Sequence, residues 1–296
     1  MFYIYTDAMN NEPSIGNKYR FIQQLGAGDF GSIYEGENLR TGEKVAVKVE
    51  PIKNQTKLLK NETKIYQYLG NVKQGVPCVK WFGVDAVNNY MVMNLLGESL
   101  HDRREKCGRF SLSETARVGI QLVERIKYVH ERGLVHRDIK PDNFLFGRGE
   151  ERDKLYIIDF GFSKRYSTIV DTKTKKRNTI IGTPNFISIA VHSYLEPERK
   201  DDLESVMYIL LYLYMEELPW FAKHRNERNE RNERKELTNE EIKELKSEFL
   251  SRHRKETDLV ALIVDYIQDI QRTRDRPNYD FYLEQFHAIL DKITKK

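Results

Sequence analysis

The residues best suited to catalysis lie close together in the stretch "LVHRDIKPDNFLFG". Asp138 stands where a carboxylate can accept the proton of an attacking hydroxyl group, and Lys140 can neutralise charge on a γ-phosphoryl group in transfer. Asn143 can bind a metal ion from the same loop as Asp138. His136 is interpreted as a packed scaffold residue rather than as a base. The stretch therefore predicts phosphoryl transfer to a hydroxyl group.

A second metal-binding side chain and a possible phosphate-binding lysine lie elsewhere in the sequence. Asp159 ends an apolar strand in "IIDFGFSK", where it would hold Mg²⁺ bridging phosphates while Gly161 allows the turn out of the strand. Lys48 lies in the middle of the apolar stretch "VAVKVE", and a buried lysine is costly unless an anion pairs with it. Glu62 is the candidate partner, and the pair would place Lys48 on the α- and β-phosphates of a nucleotide.

The stretch "LGAGDFGSIY" carries three spaced glycines, Gly26, Gly28 and Gly31, followed by Ile33. Backbone amide groups in such a loop can close over phosphate oxygens. A strand follows rather than a helix, which separates the loop from the dinucleotide-binding fingerprint. Each pattern also has a plain reading, as a tight turn or a surface charge. Their order and predicted structural contexts together indicate nucleotide-dependent phosphotransferase chemistry.

The hydrophobic patterns predict strands first and helices afterwards. Period-two runs between residues 19 and 96 predict five strands, and "TKLLKNETKIYQYLG" predicts one helix. Capping boxes (Ser111 to Glu114, Thr238 to Glu241) open two later helices. The stretch "DDLESVMYILLYLYMEELPW" is apolar nearly all round, which predicts a buried helix. This order predicts an α+β chain of two lobes, with an N-terminal extension over 1–18 and lobes over 19–96 and 97–296.

Composition narrows the class of protein and its location. The 296 residues are 40% hydrophobic and 32% charged, and no apolar run is long enough for a membrane span. Two cysteines imply no disulfide framework, so we expect a cytoplasmic or nuclear location. A net charge of +4 is too small to argue nucleic-acid binding. The Arg-Asn-Glu repeat over 225–233 is interpreted as a solvated helix rather than a basic contact strip.

From about Tyr19 to about Leu290 the chain resembles the eukaryotic protein kinases, specifically the casein kinase 1 family. The resemblance is carried by "HRDIKPDNFL", "NYMVMNLLGESL", "RKDDLESVMY" and "LPW", and by Ser188-Ile189-Ala190 in place of Ala-Pro-Glu. It implies a two-lobed kinase fold with a small antiparallel N-lobe and a larger, mostly helical C-lobe. It also implies transfer from Mg-ATP to serine or threonine of a protein, as the position of Lys140 is typical of serine/threonine kinases.

By the same resemblance, Met93 is the gatekeeper, Asn94 to Leu96 form the hinge that meets adenine, and Asp202 anchors the catalytic loop. Thr183 bonds to the catalytic base and helps to place the acceptor hydroxyl group. The residues expected to bind the nucleotide are Leu25, Gly26, Gly28, Gly31, Ile33, Ala46, Lys48, Glu62, Met93, Asn94 and Leu96.

The chain departs from this family at Asn185, where an arginine usually helps to bind an acidic or phosphorylated group of the substrate. An amide cannot make the bidentate, charge-assisted contact of a guanidinium group. We hypothesise that a basic cluster compensates; the alternative is a solvated basic loop. The cluster comprises Arg137, Lys164, Lys176 and Arg177, within a basic run that also includes Lys173 and Lys175.

Two other classes of protein are alternatives to a kinase. A pseudokinase scaffold would usually lack one of the residues Lys48, Asp138, Asn143 or Asp159, and all four are present. A nucleic-acid-binding protein would need a clustered basic face with aromatic platforms. The expected partners are therefore ATP, Mg²⁺ and protein substrates, with no nucleic acid and no membrane, and we expect a monomer. Candidate phosphoacceptors in the chain itself are Thr172, Thr174 and Thr179.

Overall fold

The computed structural model describes residues 14–28, 31–53, 58–166, 176–221, 237–252, 259–274 and 276–295. The repeat over 225–233, Thr172, Thr174, Lys173 and Lys175 lie outside these ranges. The chain divides into two compact units, Met1–Glu98 with Leu145–Gly161, and Ser99–Phe144 with Phe162–Lys296.

The strands and helices follow the predicted α+β order. In the described ranges the strands are β1 (Ser14–Ile15), β2 (Tyr19–Gly28), β3 (Gly31–Asn38), β4 (Lys44–Pro51), β5 (Val79–Val84), β6 (Asn88–Asn94), β7 (Leu134–Val135), β8 (Phe144–Phe146), β9 (Leu155–Ile157) and β10 (Lys164–Arg165). The helices there are α1 (Leu58–Leu69), α2 (Leu100–Cys107), α3 (Leu112–Glu131), α4 (Ile189–His192), α5 (Arg199–Tyr214), α6 (Asn239–Arg252), α7 (Leu259–Arg272) and α8 (Tyr279–Thr294). None of them is long and apolar enough to cross a membrane.

The first unit is built on an antiparallel sheet in the order β1-β2-β3-β4-β6-β5. Alternate residues of its strands form the core, among them Val45, Val47 and Val92, which are fully buried. Helix α1 contributes Leu59 and Tyr66 to the interior. The alternation that predicted the strands therefore also identifies the face that is packed.

The sheet has one strand more than predicted. Residues 14–18 were assigned to an N-terminal extension, but Ser14 and Ile15 form β1 and pair with the start of β2. Gly16 and Asn17, both with positive φ angles, make the tight turn between the two strands. A strand of two residues is too short to show a period of two, so the pattern could not reveal it.

The segment 145–161 belongs to the first compact unit, whereas the sequence placed it in the second lobe. Its backbone is bonded there at two points: Gly97 N–H donates to Phe146 O at 2.7 Å, and Ile157 N–H donates to Gly75 O at 2.9 Å. Long-range hydrogen bonds of this kind leave no periodic signal in the sequence. The segment carries Asp159 into the first unit.

The second unit is mostly helical, with α5 packed against α3 and α7, and α8 packed against α3. Helix α5 is buried along nearly its whole length, as predicted from a sequence that is apolar nearly all round. The capping box of Ser111 and Glu114 forms at the start of α3, and Thr238 and Glu241 make the equivalent bonds at α6. Helix α2 was not predicted, although Ser99 and Asp102 form a capping box there too.

Candidate active site

A buried ion pair stands at the centre of the first unit. The Lys48 ammonium group, on β4, lies 2.8 Å from Glu62 Oε2, on α1, and the Glu62 side chain is buried. Burial alone would lower the pKa of Lys48, but the charges of Glu62 and Asp159 outweigh it and raise the pKa. Lys48 is therefore a cation held at a fixed place, which suits it to bind a phosphate group.

Asp159 joins this pair from the segment 145–161. Its Oδ1 lies 3.3 Å from Lys48 Nζ, and its side chain remains 31% exposed. The backbone at Asp159 has a φ of 65°, a conformation that is costly for residues other than glycine. The Tyr66 hydroxyl accepts a hydrogen bond from Asp159 N–H at 2.9 Å, and the Tyr66 ring packs edge-on against Phe160. Helix α1 thus fixes both Lys48 and Asp159.

Glu50 is a residue of this region that the sequence did not single out. It follows Lys48 by two positions on β4, and its buried carboxylate accepts the backbone N–H groups of Leu58 and Leu59 at 2.9 and 3.1 Å. Asn89 Nδ2 donates to its other oxygen at 3.1 Å. A carboxylate at a helix N-terminus accepts hydrogen bonds from amide groups that have no partner within the helix. It also interacts favourably with the helix dipole. Glu50 therefore ties the start of α1 to the strand that carries Lys48.

The three spaced glycines of the β2–β3 hairpin differ in whether packing around them leaves room for a side chain. A Cβ atom at Gly31, where φ is 136°, would lie 2.0 Å from Val49 O, so close packing against β4 requires glycine there. At Gly26 and Gly28 an added Cβ would meet nothing within 4 Å. Packing within the unit does not explain these two glycines, which is consistent with a surface kept open for a ligand.

The sheet register brings the other predicted nucleotide-binding residues together. Ile33 pairs with Lys48, and Ala46 pairs with Met93. Leu25 and Ile33 are large apolar residues left exposed, whereas Met93 is buried.

The predicted hinge residue Asn94 uses its side-chain oxygen to accept the N–H of Cys78 at 2.8 Å. Leu96 lies partly buried just beyond β6.

In the second unit, three side chains converge on the Asp138 carboxylate. Thr183 Oγ1 donates to Asp138 Oδ1 at 2.9 Å, and Lys140 Nζ lies 3.1 Å from Asp138 Oδ2. Asn143 Nδ2 donates to Asp138 O at 2.8 Å and to Oδ2 at 3.3 Å. The structure thus brings together the four residues that the sequence assigned to catalysis. Asp138 itself is buried, so its orientation is set by these partners.

The loop that carries Asp138 is anchored by Asp202, near the start of α5. Asp202 accepts the backbone N–H groups of His136 at 2.7 Å and Arg137 at 2.9 Å, and His130 Nε2 lies 2.9 Å from its Oδ2. Arg137 has a φ of 71°. Such a backbone is strained for arginine and persists where neighbouring contacts hold it. His136 is fully buried, in agreement with its interpretation as a scaffold residue.

Ser188 and Ile189, in the segment that lacks Ala-Pro-Glu, are also bonded to α5. Ser188 Oγ donates to Asp201 Oδ1 at 2.6 Å and accepts the N–H of Val191, which caps α4. Ile189 N–H donates to Glu204 Oε1 at 3.0 Å. Two hydrogen bonds to buried carboxylates therefore attach this segment to the central helix.

Three members of the predicted basic cluster converge on one carboxylate. Glu196 Oε1 lies 3.0 Å from Arg137 Nη1 and 2.9 Å from Lys164 Nζ, and Glu196 Oε2 lies 2.5 Å from Arg177 Nη1. Lys176 is exposed, and its backbone bridges to Leu195. The predicted convergence is thus found for these three residues, around a carboxylate whose role the sequence did not reveal.

Each unit holds charged side chains of a kind suited to phosphoryl transfer: Lys48 lies beside the partly exposed Asp159 carboxylate in the first unit, and Thr183 and Lys140 lie beside Asp138 in the second. The family model of the protein kinase domain matches residues 19–282. The chain therefore belongs to the protein kinase family, and its fold is the two-lobed α+β fold with an antiparallel N-lobe and a helical C-lobe. Membership implies ATP as phosphoryl donor and proteins as acceptors.

Replacing Glu50 by alanine removes the acceptor for two amide groups at the start of α1. We expect the helix to loosen there and the Lys48–Glu62 pair to weaken, so that the KM for ATP rises about tenfold while the KM for a protein substrate changes little. Steady-state kinetics measures both constants. Glu35→Ala, which removes a carboxylate bonded to Gln23 on the same sheet, is the control. An unchanged KM for ATP in Glu50→Ala would contradict the role given to Glu50.

The contact between Ser188 and Asp201 should depend on pH. Burial raises the pKa of Asp201 from its ordinary 3.8 to about 7. The folded state then binds the proton more tightly than the unfolded chain, so this contribution to stability is full at low pH and is lost as the pH rises through 7. Between about pH 5.5 and about pH 8 the wild type should lose about 2 kcal/mol more unfolding free energy than Asp201→Asn. Urea denaturation at both pH values measures the difference, and equal pH dependence in the two proteins would contradict it.

Proposed function

We propose that this protein is a serine/threonine kinase of the casein kinase 1 type, which transfers the γ-phosphoryl group of Mg-ATP to protein hydroxyl groups. The observation that carries the proposal is the arrangement around Asp138, with Thr183 on one carboxylate oxygen and Lys140 beside the other. Asp138 accepts the proton of the acceptor hydroxyl, and Lys140 offsets charge on the phosphoryl group. The position of Lys140 supports serine and threonine, rather than tyrosine, as acceptors.

The nucleotide is assigned to residues of the first unit. Lys48, held by Glu62, binds the α- and β-phosphates, and the amide groups around Gly26 and Gly28 cover the phosphate oxygens. Met93, Asn94 and Leu96 face the adenine. The open space above Gly26 and Gly28 supports this assignment, as does the fixed position of the Lys48 ammonium group.

Asp159 and Asn143 are the residues that would hold Mg²⁺, an ion that prefers oxygen ligands and binds through one or two protein groups plus phosphates. The Asp159 carboxylate is partly exposed. Asn143 directs its amide nitrogen at Asp138, so its oxygen is the atom suited to a metal. When bound, the ion neutralises charge on the phosphates.

The casein kinase 1 type is supported by the segment after Thr183. Ser188 does two tasks there, since it caps α4 and donates to Asp201, and an alanine could do neither. A pseudokinase scaffold is not favoured, because Lys48, Glu62, Asp138, Asn143 and Asp159 are all present. Location in the cytoplasm or nucleus, and a monomeric state, stay predictions.

We assign substrates with an acidic or phosphorylated group to the basic cluster of Arg137, Lys164, Lys176 and Arg177, and base the assignment on the three members that contact Glu196. Three cations share the single carboxylate of Glu196, which leaves a positive surface for a further anion. The Arg177 side chain keeps 29% of its surface exposed, so it remains open to contact with such an anion.

The reaction is tested by phosphate transfer to a serine-peptide library with the wild type, Asp138→Asn and Asp159→Asn. We expect both variants to lose about a thousandfold or more in kcat, because one lacks the base and the other the metal-binding carboxylate. Asp153→Asn, at an exposed position, is the matched control and should match the wild type. Transfer at the wild-type rate by Asp159→Asn would refute the role assigned to that residue, and ATP binding without transfer by the wild type would favour the scaffold.

Substrate class is tested by replacing Lys164 and Arg177 with alanine together. We expect the preference for phosphorylated or acidic peptides over neutral ones to fall about tenfold, since two charge-assisted contacts are lost. The ratio of kcat/KM values for matched peptides measures it, with Lys60→Ala as the control. If the double variant keeps the full preference, the anion lies elsewhere.

A further inference from the structure

A buried ammonium group in the second unit has no part in the roles assigned above. Lys246, on α6, is completely buried. Its Nζ lies 4.4 Å from the centroid of the Tyr208 ring and 5.8 Å from that of Trp220. Taking an ammonium group out of water costs several kcal/mol unless other groups replace its hydration. The hydrogen bonds of Lys246 are what an apolar side chain in its place could not provide.

Three acceptors surround the Lys246 ammonium group, one for each of its three N–H donors. These are Pro184 O at 3.0 Å, Ile187 O at 2.7 Å and His192 Nε2 at 3.2 Å. His192 must therefore accept at Nε2 and carry its proton at Nδ1, which faces Asn239 Oδ1. Burial and the charge of Lys246 lower the pKa of His192 to about 4, so the ring is neutral near pH 7. Burial lowers the pKa of Lys246 well below its ordinary value, and the charge of the nearby Glu204 carboxylate opposes part of that shift in favour of the ammonium form.

The carbonyl groups that Lys246 holds belong to the turn that follows Thr183. Within this turn the N–H groups of Phe186 and Ile187 donate to Thr183 O at 2.9 and 3.1 Å. Trp220 Nε1 donates to Asn185 O at 3.0 Å, from a side chain that is also buried. Donors from two separate elements therefore fix successive carbonyl groups of one turn. The same turn begins at Thr183, whose hydroxyl group donates to Asp138.

We propose that Lys246 is a positioning residue for the acceptor side of the reaction: by holding the Pro184 and Ile187 carbonyl groups it sets Thr183 against Asp138. The inference rests on the proposed kinase function and deepens it. Lys246 touches neither nucleotide nor acceptor in this scheme; it acts through the backbone of the turn. Small displacements of groups that orient a substrate cost large factors in rate, which is why a costly buried cation is a reasonable support for this turn.

The test compares Lys246→Met, which keeps the length of the side chain and removes its donors, with the wild type. We expect kcat/KM for a serine peptide to fall by about tenfold to a hundredfold, while the Kd for ATP, from direct binding, stays within about twofold. Lys243→Met, the same change one turn earlier on α6, should leave both values unchanged. Lys246→Arg keeps a cation with several donors and should restore part of the peptide activity. All assays are run well below the melting temperature of each variant.

The outcomes separate the inference from the proposed function. A wild type that phosphorylates no peptide defeats the kinase proposal. A wild type that does, with Lys246→Met showing a lower Tm but unchanged peptide kinetics, overturns the positioning role and leaves Lys246 a stabilising residue. If Lys246→Met does not fold, Lys246→Gln, whose amide can donate two of the three bonds, takes its place. Unchanged kcat/KM in Lys246→Gln would likewise overturn the proposal.

Discussion

The first turns of α5 hold the two backbone segments on which the second unit's chemistry depends. Three acidic residues stand there, and each is buried. Asp202 accepts two N–H groups of the loop before Asp138, Asp201 accepts Ser188, and Glu204 accepts the N–H of Ile189. Asp201 and Asp202 lie in the first turn of α5, where the helix dipole stabilises acidic side chains and offsets part of their burial cost. The loop that carries Asp138 and the segment after Thr183 are therefore placed relative to each other by one helix.

In the first unit, too, a buried carboxylate holds a stretch of backbone in place. Glu50 accepts backbone N–H groups at the start of α1 as Asp202 does for the catalytic loop, while Glu62 pairs with Lys48. Lys246 is the reverse case, a buried cation that satisfies backbone carbonyl groups. In each case a charged side chain fixes a stretch of backbone, and a functional side chain gains its position from that backbone. Buried charges of this kind contribute more to the geometry of the site than to net stability.

The sequence predicted well what depends on local spacing. The capping boxes at Ser111 and Thr238 and the buried helix α5 follow from neighbours a few positions apart. The residues it missed have partners far along the chain. Glu50 reaches Asn89, Glu196 reaches Arg137, and Lys246 reaches Pro184, and no periodicity encodes such pairs. Asn94 shows the same limit: the resemblance assigned it to the hinge, but its bond to Cys78 could not be seen in the sequence.

Glu196 also links segments that lie apart in the sequence. Lys164 and Arg177 both contact its carboxylate. Arg137, the residue before Asp138, contacts the same carboxylate. A change at Glu196 would therefore leave three cations without their shared counter-charge, and it would act on the loop that carries Asp138 as well as on the basic cluster.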